Sequence, residues 1–174
     1  ELPRSVLSQI VSDSRVTAGE GAVVTGIHPQ IAPLLARMRE ARAFKILESA
    51  RALTVKTNQP IITFKGMRDP SIDRSVGITS QITPTMMDEN GLHVQIDVQR
   101  VLKEPGTTGL IDLGYQGDFV IPKGAGAFLA GLLPRRSLDE QERTLYGNAG
   151  VLKVLASQDF QQGNSEFVIF IEAR

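Results

Sequence analysis

Residues 76–98, VGITSQITPTMMDENGLHVQIDV, decide the fold because they have the pattern of one long antiparallel hairpin. Apolar and polar residues alternate in the second arm, which is typical of a strand with one buried and one exposed face. The apolar set is Leu92, Val94, Ile96 and Val98, and the polar set is His93, Gln95, Asp97 and Gln99. Residues 76–86 alternate in the same way, and Asn90-Gly91 between the arms is a strong hairpin signal. A strand of about 11 residues spans about 36 Å, which is long for a globular sheet.

Upstream of this hairpin, the pattern predicts helix and further strand. Apolar residues spaced for one helix face follow Pro29 and predict a helix to about residue 41. Residues 5–11 are long enough for one or two further helical turns. Residues 51–57 and 60–65 alternate as two strands, joined by a tight turn at Asn58-Gln59-Pro60.

Downstream, a third hairpin is expected from strands at 117–122 and 127–133, joined by a turn at 123–126. Residues 134–149 are polar, and Ser137 with Glu140 three residues later fits a helix capping box. Residues 150–160 are amphipathic, and the apolar run at 166–172 predicts a last strand.

These elements together predict one mainly β domain of the α+β class, in which a short N-terminal helix precedes antiparallel hairpins. Residues 1–28 are expected to be a lead-in segment, and 29–174 the β domain, with 150–174 as its C-terminal segment. The chain begins at Glu1 without Met or an apolar leader, which indicates a processed chain or an excised domain.

Composition excludes several classes of function. The 19 basic and 19 acidic residues cancel, so there is no general attraction to nucleic acid or to an anionic membrane. The same neutrality minimises repulsion between copies of the chain. There are no cysteines, which excludes disulfides, thiolate catalysis and thiolate metal sites. No apolar run approaches the 18 residues or more of a spanning helix.

The sequence contains no pattern that predicts a catalytic, cofactor-binding or metal-binding residue. The two histidines, His28 and His93, have no acidic or histidine partner at metal-ligand spacing. Asp88 and Glu89 form a carboxylate pair, but a hairpin turn favours Asp there for backbone reasons. The glycines around residues 124–126 precede a predicted strand, whereas a phosphate-binding loop precedes a helix. The sequence therefore predicts a protein that is not an enzyme and has no cofactor, and an enzyme with scattered Asp and Glu remains a further hypothesis.

Three segments, in order, resemble the signature of the bacterial secretin family, the channels of type II and III secretion, type IV pili and Tad systems. Residues 46–66 resemble the family's first strand pair, which ends in a glycine, here Gly66. Residues 76–98 resemble its Val-Gly hairpin, and residues 118–133 its following hairpin, whose second arm ends in Gly-Leu. The matching positions in these hairpins are Gly77, Pro84, Asn90, Gly91 and Gly131. Residues 31–45, 150–160 and 166–172 resemble the preceding helix, the lip and the last strand.

This resemblance implies a non-catalytic subunit of a large homo-oligomeric ring in the bacterial outer membrane and periplasm. Each copy would contribute strands to a shared β-barrel for protein or pilus export, together with other secretion or pilus components and without nucleic acid. Lipid contact would fall to the amphipathic lip, and the alternative is that this stretch packs on the domain's own sheet. The candidate lip residues are Val151, Leu152, Val154, Leu155 and Phe160.

The chain departs from the family in two places. Secretins usually carry a long gate hairpin before the Val-Gly strand, but only residues 67–75 lie between Gly66 and Val76. The lip segment also lacks the family's usual prolines. These departures leave open a second hypothesis, a secretin-derived structural ring or scaffold module of the cell envelope without gated transport.

Overall fold

The computed structural model describes residues 1–18, 23–42, 44–45, 57–104, 106–148 and 150–172. The predicted strand at 51–57 lies almost entirely outside these residues. The described strands are β1 (Leu2–Pro3), β2 (Arg15–Ala18), β3 (Val24–His28), β4 (Ile61–Asp69), β5 (Arg74–Asp88), β6 (Gly91–Lys103), β7 (Leu110–Ile121), β8 (Gly126–Ala130), β9 (Ser165–Glu166) and β10 (Val168–Glu172). The helices are α1 (Arg4–Ser12), α2 (Ile31–Glu40), α3 (Glu140–Gly147), a 3-10 helix (Gly150–Ala156) and α4 (Gln158–Gln161).

Strands β4, β5, β6 and β7 pair in sequence order as an antiparallel sheet, called the meander sheet below. The predicted long hairpin is confirmed, since β5 has 15 residues and β6 has 13. Asp88 pairs with Gly91, so Glu89 and Asn90 form the turn. The positive φ of 135° falls on Gly91 and not on Asn90, so the return strand begins with the glycine.

The connection between β4 and β5 is a short turn at residues 70–73. The two strands pair up to Arg68 with Ser75 and Asp69 with Arg74. The side chain of Asp69 accepts hydrogen bonds from the Ser71 N–H at 2.8 Å and from its Oγ at 2.7 Å, which fixes the turn. Residues 67–75 are therefore part of the hairpin itself, and they form no separate gate.

A second sheet has the order β10-β8-β3-β2, and its pairs are antiparallel. This sheet shows that the predicted third hairpin is wrong. Residues 117–121 pair with β6, whereas β8 pairs with β3 and β10. The reason is burial, because all five residues of β8 are buried and a strand covered on both faces suits the centre of a sheet.

The expected boundary at residue 28 does not divide the structure. Strand β3, which ends there, lies between β2 and β8 in the second sheet. Helices α1 and α2 form one buried cluster with this sheet. Its buried members are Leu2, Ile10, Ile31, Leu35, Met38 and Phe128. Residues before 28 thus belong to the same packed unit as the strands that follow.

The C-terminal half completes a second and larger buried cluster, called the larger core below, which includes Val94, Ile96, Val98 and Leu152. The predicted capping box occurs two residues later than expected, with Asp139 as the cap of α3 and Glu142 as its partner. Glu142 is buried and pairs with Arg136 through two hydrogen bonds of 3.0 and 2.9 Å. Burial by itself lowers the pKa of Arg136, but the hydrogen bonds and charge of Glu142 outweigh it and raise that pKa. This pair positions α3 beside the 3-10 helix that follows.

Candidate functional site

One face of the meander sheet carries a field of polar side chains, called the polar face below. Because successive side chains of a strand point to opposite faces, the residues that share a face form rows across paired strands. On β5, β6 and β7 the central row is Gln81, Asp97 and Gln116, and the rows beside it are Thr83, Gln95 and Asp118, and Thr79, Gln99 and Gly114. On β4 the central row continues with Ile62, an exposed apolar residue. The opposite face buries Val94, Ile96 and Val98 in the larger core.

Asp97 lies at the centre of the polar face. Its Oδ1 accepts a hydrogen bond of 2.9 Å from Gln99 Nε2, and its Oδ2 accepts one of 2.9 Å from Gln116 Nε2. The side chains around it enclose a shallow depression of about 90 Å³. The lining residues are Gln81, Thr83, Gln95, Asp97 and Gln116.

Strand β7 forms an edge of the meander sheet, because among the described residues it pairs only with β6. The Glu104 N–H donates to the Gly109 carbonyl at 2.9 Å, so these two residues form a hydrogen-bonded pair. In an antiparallel ladder every second pair is hydrogen-bonded, so the odd-numbered residues of β7 bind β6. The backbone groups of the even-numbered residues 110–120 therefore point away from β6. This strand contains no Lys, Arg or Pro, and its only charged residues are Asp112 and Asp118. Lys and Pro are the residues that most often protect an edge from pairing.

Arg100 is a buried cation on the core face of β6 that sequence reasoning missed. It donates to the carbonyls of Leu113 at 3.0 Å, Gly114 at 3.1 Å and Leu132 at 2.5 Å. Burial lowers the pKa of Arg100, and the charge of Asp112 opposes that change. The residue joins the edge strand to the segment after β8. Arg100 stands at a position of β6 where the alternation predicts a buried residue, and this was the sequence signal for its burial.

The predicted structural residues occupy turns and pairings of the two sheets. Gly66 pairs directly with Gly77 across β4 and β5. Pro84 is at a register shift in the β5–β6 ladder, and its carbonyl accepts from the Asn58 N–H at 2.6 Å.

The remaining predicted glycines and Asn90 support chain reversals. The Asn90 N–H donates to Asp88 Oδ1 at 2.9 Å. A Cβ at Gly91 would lie 2.3 Å from the Ile121 carbonyl oxygen, so only glycine fits there. Gly131 has a φ of 75° immediately after β8, where the chain leaves the second sheet. These residues thus shape the fold and do not form a pocket.

The five candidate lip residues do not form an exposed surface. Val151 is 6% exposed, and the other four, Leu152, Val154, Leu155 and Phe160, are 0% exposed in the larger core. The 3-10 helix that carries most of them packs against β4 and β5. Their burial corrects the lip prediction and matches the alternative, in which this stretch packs on the domain's own sheet.

The two histidines and the acidic turn have local roles. His28 Nδ1 accepts from the Gln30 N–H at 3.1 Å, at the entrance of α2. His93 Nε2 lies 3.0 Å from Asp88 Oδ2. Desolvation raises the pKa of Asp88, but hydrogen bonds from Asn90 and His93 outweigh it, so the pKa lies below its ordinary value. Within the described part of the chain, no group of three or more His, Cys, Asp and Glu could hold a metal ion.

Comparisons with known protein families, with curated proteins and with solved structures found no match. Among the described residues, no helix is long and apolar enough to cross a membrane.

Proposed function

We propose that the chain is a non-catalytic subunit of an oligomeric secretin-like ring in the bacterial outer membrane and periplasm, which serves protein or pilus export. The observation that carries this proposal is the edge of β7. The even-numbered residues 110–120 of this strand point their N–H and C=O groups away from β6, and apart from the Gly114 carbonyl, which Arg100 already binds, these groups form a template for pairing. Pairing with a second copy satisfies those groups, and repetition of such a head-to-tail contact by rotation closes a ring.

The two faces of the meander sheet support the same proposal. A shared barrel needs strands whose one face is wet and whose other face packs on a second layer. The polar face provides threonine, glutamine and aspartate side chains, and the opposite face packs on the larger core. The ring would thus turn the polar face towards its bore. Contact with lipid is not assigned to residues 151–160, because their apolar side chains are buried.

The test is the assembly state of an edge variant. Gln116→Pro removes an N–H that points away from β6, so it blocks pairing at the edge while the β6–β7 ladder stays intact. Gln116→Thr is the control, since threonine favours strands and keeps the N–H. Light scattering and negative-stain electron microscopy should show rings for the native chain and for Gln116→Thr, and folded monomers for Gln116→Pro. A native chain that stays monomeric in membrane-mimicking detergent, or rings formed by Gln116→Pro, would contradict the proposal.

The second candidate function is a structural ring or scaffold of the cell envelope without gated transport. The short turn between β4 and β5 favours it, because residues 67–75 leave no segment there to close a bore. A uniform ring with an open bore that forms without detergent would support the scaffold. A ring that requires detergent and inserts into bilayers would support the export channel.

A further inference from the structure

The depression around Asp97 has the chemistry of a site for a cation with several N–H donors. It contains one carboxylate and no Lys, Arg or His. Each carboxylate oxygen has two lone pairs and, among the described residues, accepts one hydrogen bond, Oδ1 from Gln99 and Oδ2 from Gln116. One acceptor position therefore remains on each oxygen, and no Lys, Arg or His of the described residues forms an ion pair with Asp97.

The rim supplies further acceptors. Among the residues that the structure describes, the side chains of Gln81, Thr83 and Gln95 make no hydrogen bond. Each has an oxygen that can accept an N–H; Gln81 lies in the same row as Asp97, and Thr83 and Gln95 lie in the next row. A polar group that enters the depression thus meets a fixed carboxylate below and uncommitted acceptors at the sides.

We infer that this depression binds the guanidinium group of an arginine side chain presented by another protein. A planar guanidinium offers two parallel N–H groups to the two oxygens of one carboxylate, and its remaining N–H groups can reach the rim. The depression of about 90 Å³ accommodates one such group and no larger ligand. A sugar fits less well, because no aromatic side chain lines the depression.

The inference that the arginine belongs to a protein in transit rests on the proposed function. The inference that the depression binds arginine does not. In a ring whose bore is lined by the polar face, each copy contributes one depression at the same height. A protein in transit with exposed arginines would then meet a circle of weak sites, which hold it by many brief contacts and release it readily.

The test uses the full chain immobilised on a sensor surface and capped tripeptides Gly-X-Gly, in which X is arginine, lysine or citrulline. Citrulline keeps the shape of arginine and lacks its charge. The arginine peptide should bind about tenfold more tightly than the citrulline peptide, and more tightly than the lysine peptide. Asp97→Asn should weaken arginine binding about tenfold, and Gln81→Leu at the rim should weaken it less. Asp112→Asn, an acid on the same sheet outside the depression, is the control and should leave binding within about twofold.

Equal binding of the arginine and citrulline peptides would overturn the inference, as would equal binding of the lysine peptide or an equal loss in Asp97→Asn and Asp112→Asn. Thermal melts of the variants show whether each is folded. Light scattering reports ring formation separately. A chain that forms rings without binding arginine therefore contradicts only this inference, and one that binds arginine as a monomer contradicts only the ring.

Discussion

Arg100 and Leu132 are joined by a hydrogen bond of 2.5 Å from Nη1 of the arginine to the carbonyl oxygen of the leucine. Arg100 belongs to the meander sheet, and Leu132 follows β8 of the second sheet. The same guanidinium also binds the backbone of β7 at Leu113 and Gly114. One buried side chain thus joins the edge strand to the segment that follows β8.

Arg100→Met should lower the free energy of unfolding by about 2 kcal/mol, because hydrogen bonds to a charged group are lost and buried carbonyls lose their donor. Urea denaturation of the variant measures the loss. Arg74→Met is the matched control, since Arg74 is exposed on β5 and should change stability by less than about 0.5 kcal/mol. Equal effects of the two substitutions would show that Arg100 does not join the sheets.

Gly91→Ala should destabilise the chain by about 3 kcal/mol, because the new Cβ would meet the Ile121 carbonyl oxygen in a backbone conformation that disfavours side chains. Gly124→Ala separates the effect of the clash from the effect of the backbone conformation. Gly124 also has a positive φ, of 81°, but nothing lies within 4 Å of its added Cβ. That control should cost about 1 kcal/mol, from backbone strain alone. Chemical denaturation of both variants gives the comparison, and equal losses would exclude the clash at Gly91.

Leu152→Ala distinguishes a core residue from a membrane-contacting one. The side chain is 0% exposed, so its truncation should lower the free energy of unfolding by about 3 kcal/mol. Binding of the variant to lipid vesicles should equal that of the native chain. Lys153→Ala, in the same 3-10 helix but exposed, provides the control for stability. A stable Leu152→Ala variant that loses vesicle binding would restore the lip interpretation.

Asp88 should make the β5–β6 hairpin sensitive to acid. Its pKa in the folded chain is below the ordinary value of 3.8, so its carboxylate contributes stability above that value. The contribution is lost as the pH falls through the lower folded pKa. Denaturation midpoints of the native chain and of Asp88→Asn should therefore differ at pH 7 and converge as the pH falls through the folded pKa, which lies below 3.8. A difference that stays constant across this range would contradict the assignment.

The alternating pattern predicted β5 and β6 and parts of β4 and β7, because the side-chain period of a strand is set by the backbone itself. Residues 110–116 of β7 were not predicted as strand. The pattern predicted which residues of β6 are buried and placed Asp97 on the opposite face. Local pattern could not predict the partner of β8. Its apolar run is compatible with either sheet, and the choice depends on which strand leaves β8 buried on both faces.

The polar depression and the role of Arg100 also lay beyond the sequence. Gln81, Asp97 and Gln116 are far apart in the chain, and only the register of three strands brings them into one row. In the sequence, nothing distinguishes Arg100 from other basic residues by its chemistry. Only the tertiary structure places the Leu132 carbonyl, 32 positions later, as its buried acceptor.

The sequence by itself determined the long β5–β6 hairpin, its polar and apolar faces and the glycine at its turn. Periodicity and turn chemistry act over a few residues, so they can be inferred without a tertiary structure. Only the tertiary structure decided that β8 leaves the meander and that the apolar residues at 151–160 fill the core. It also decided that, among the described strands, β7 pairs only with β6, and that three strands together line the Asp97 depression. These outcomes depend on competition between distant segments for the same buried space. A local sequence pattern contains no information about that competition.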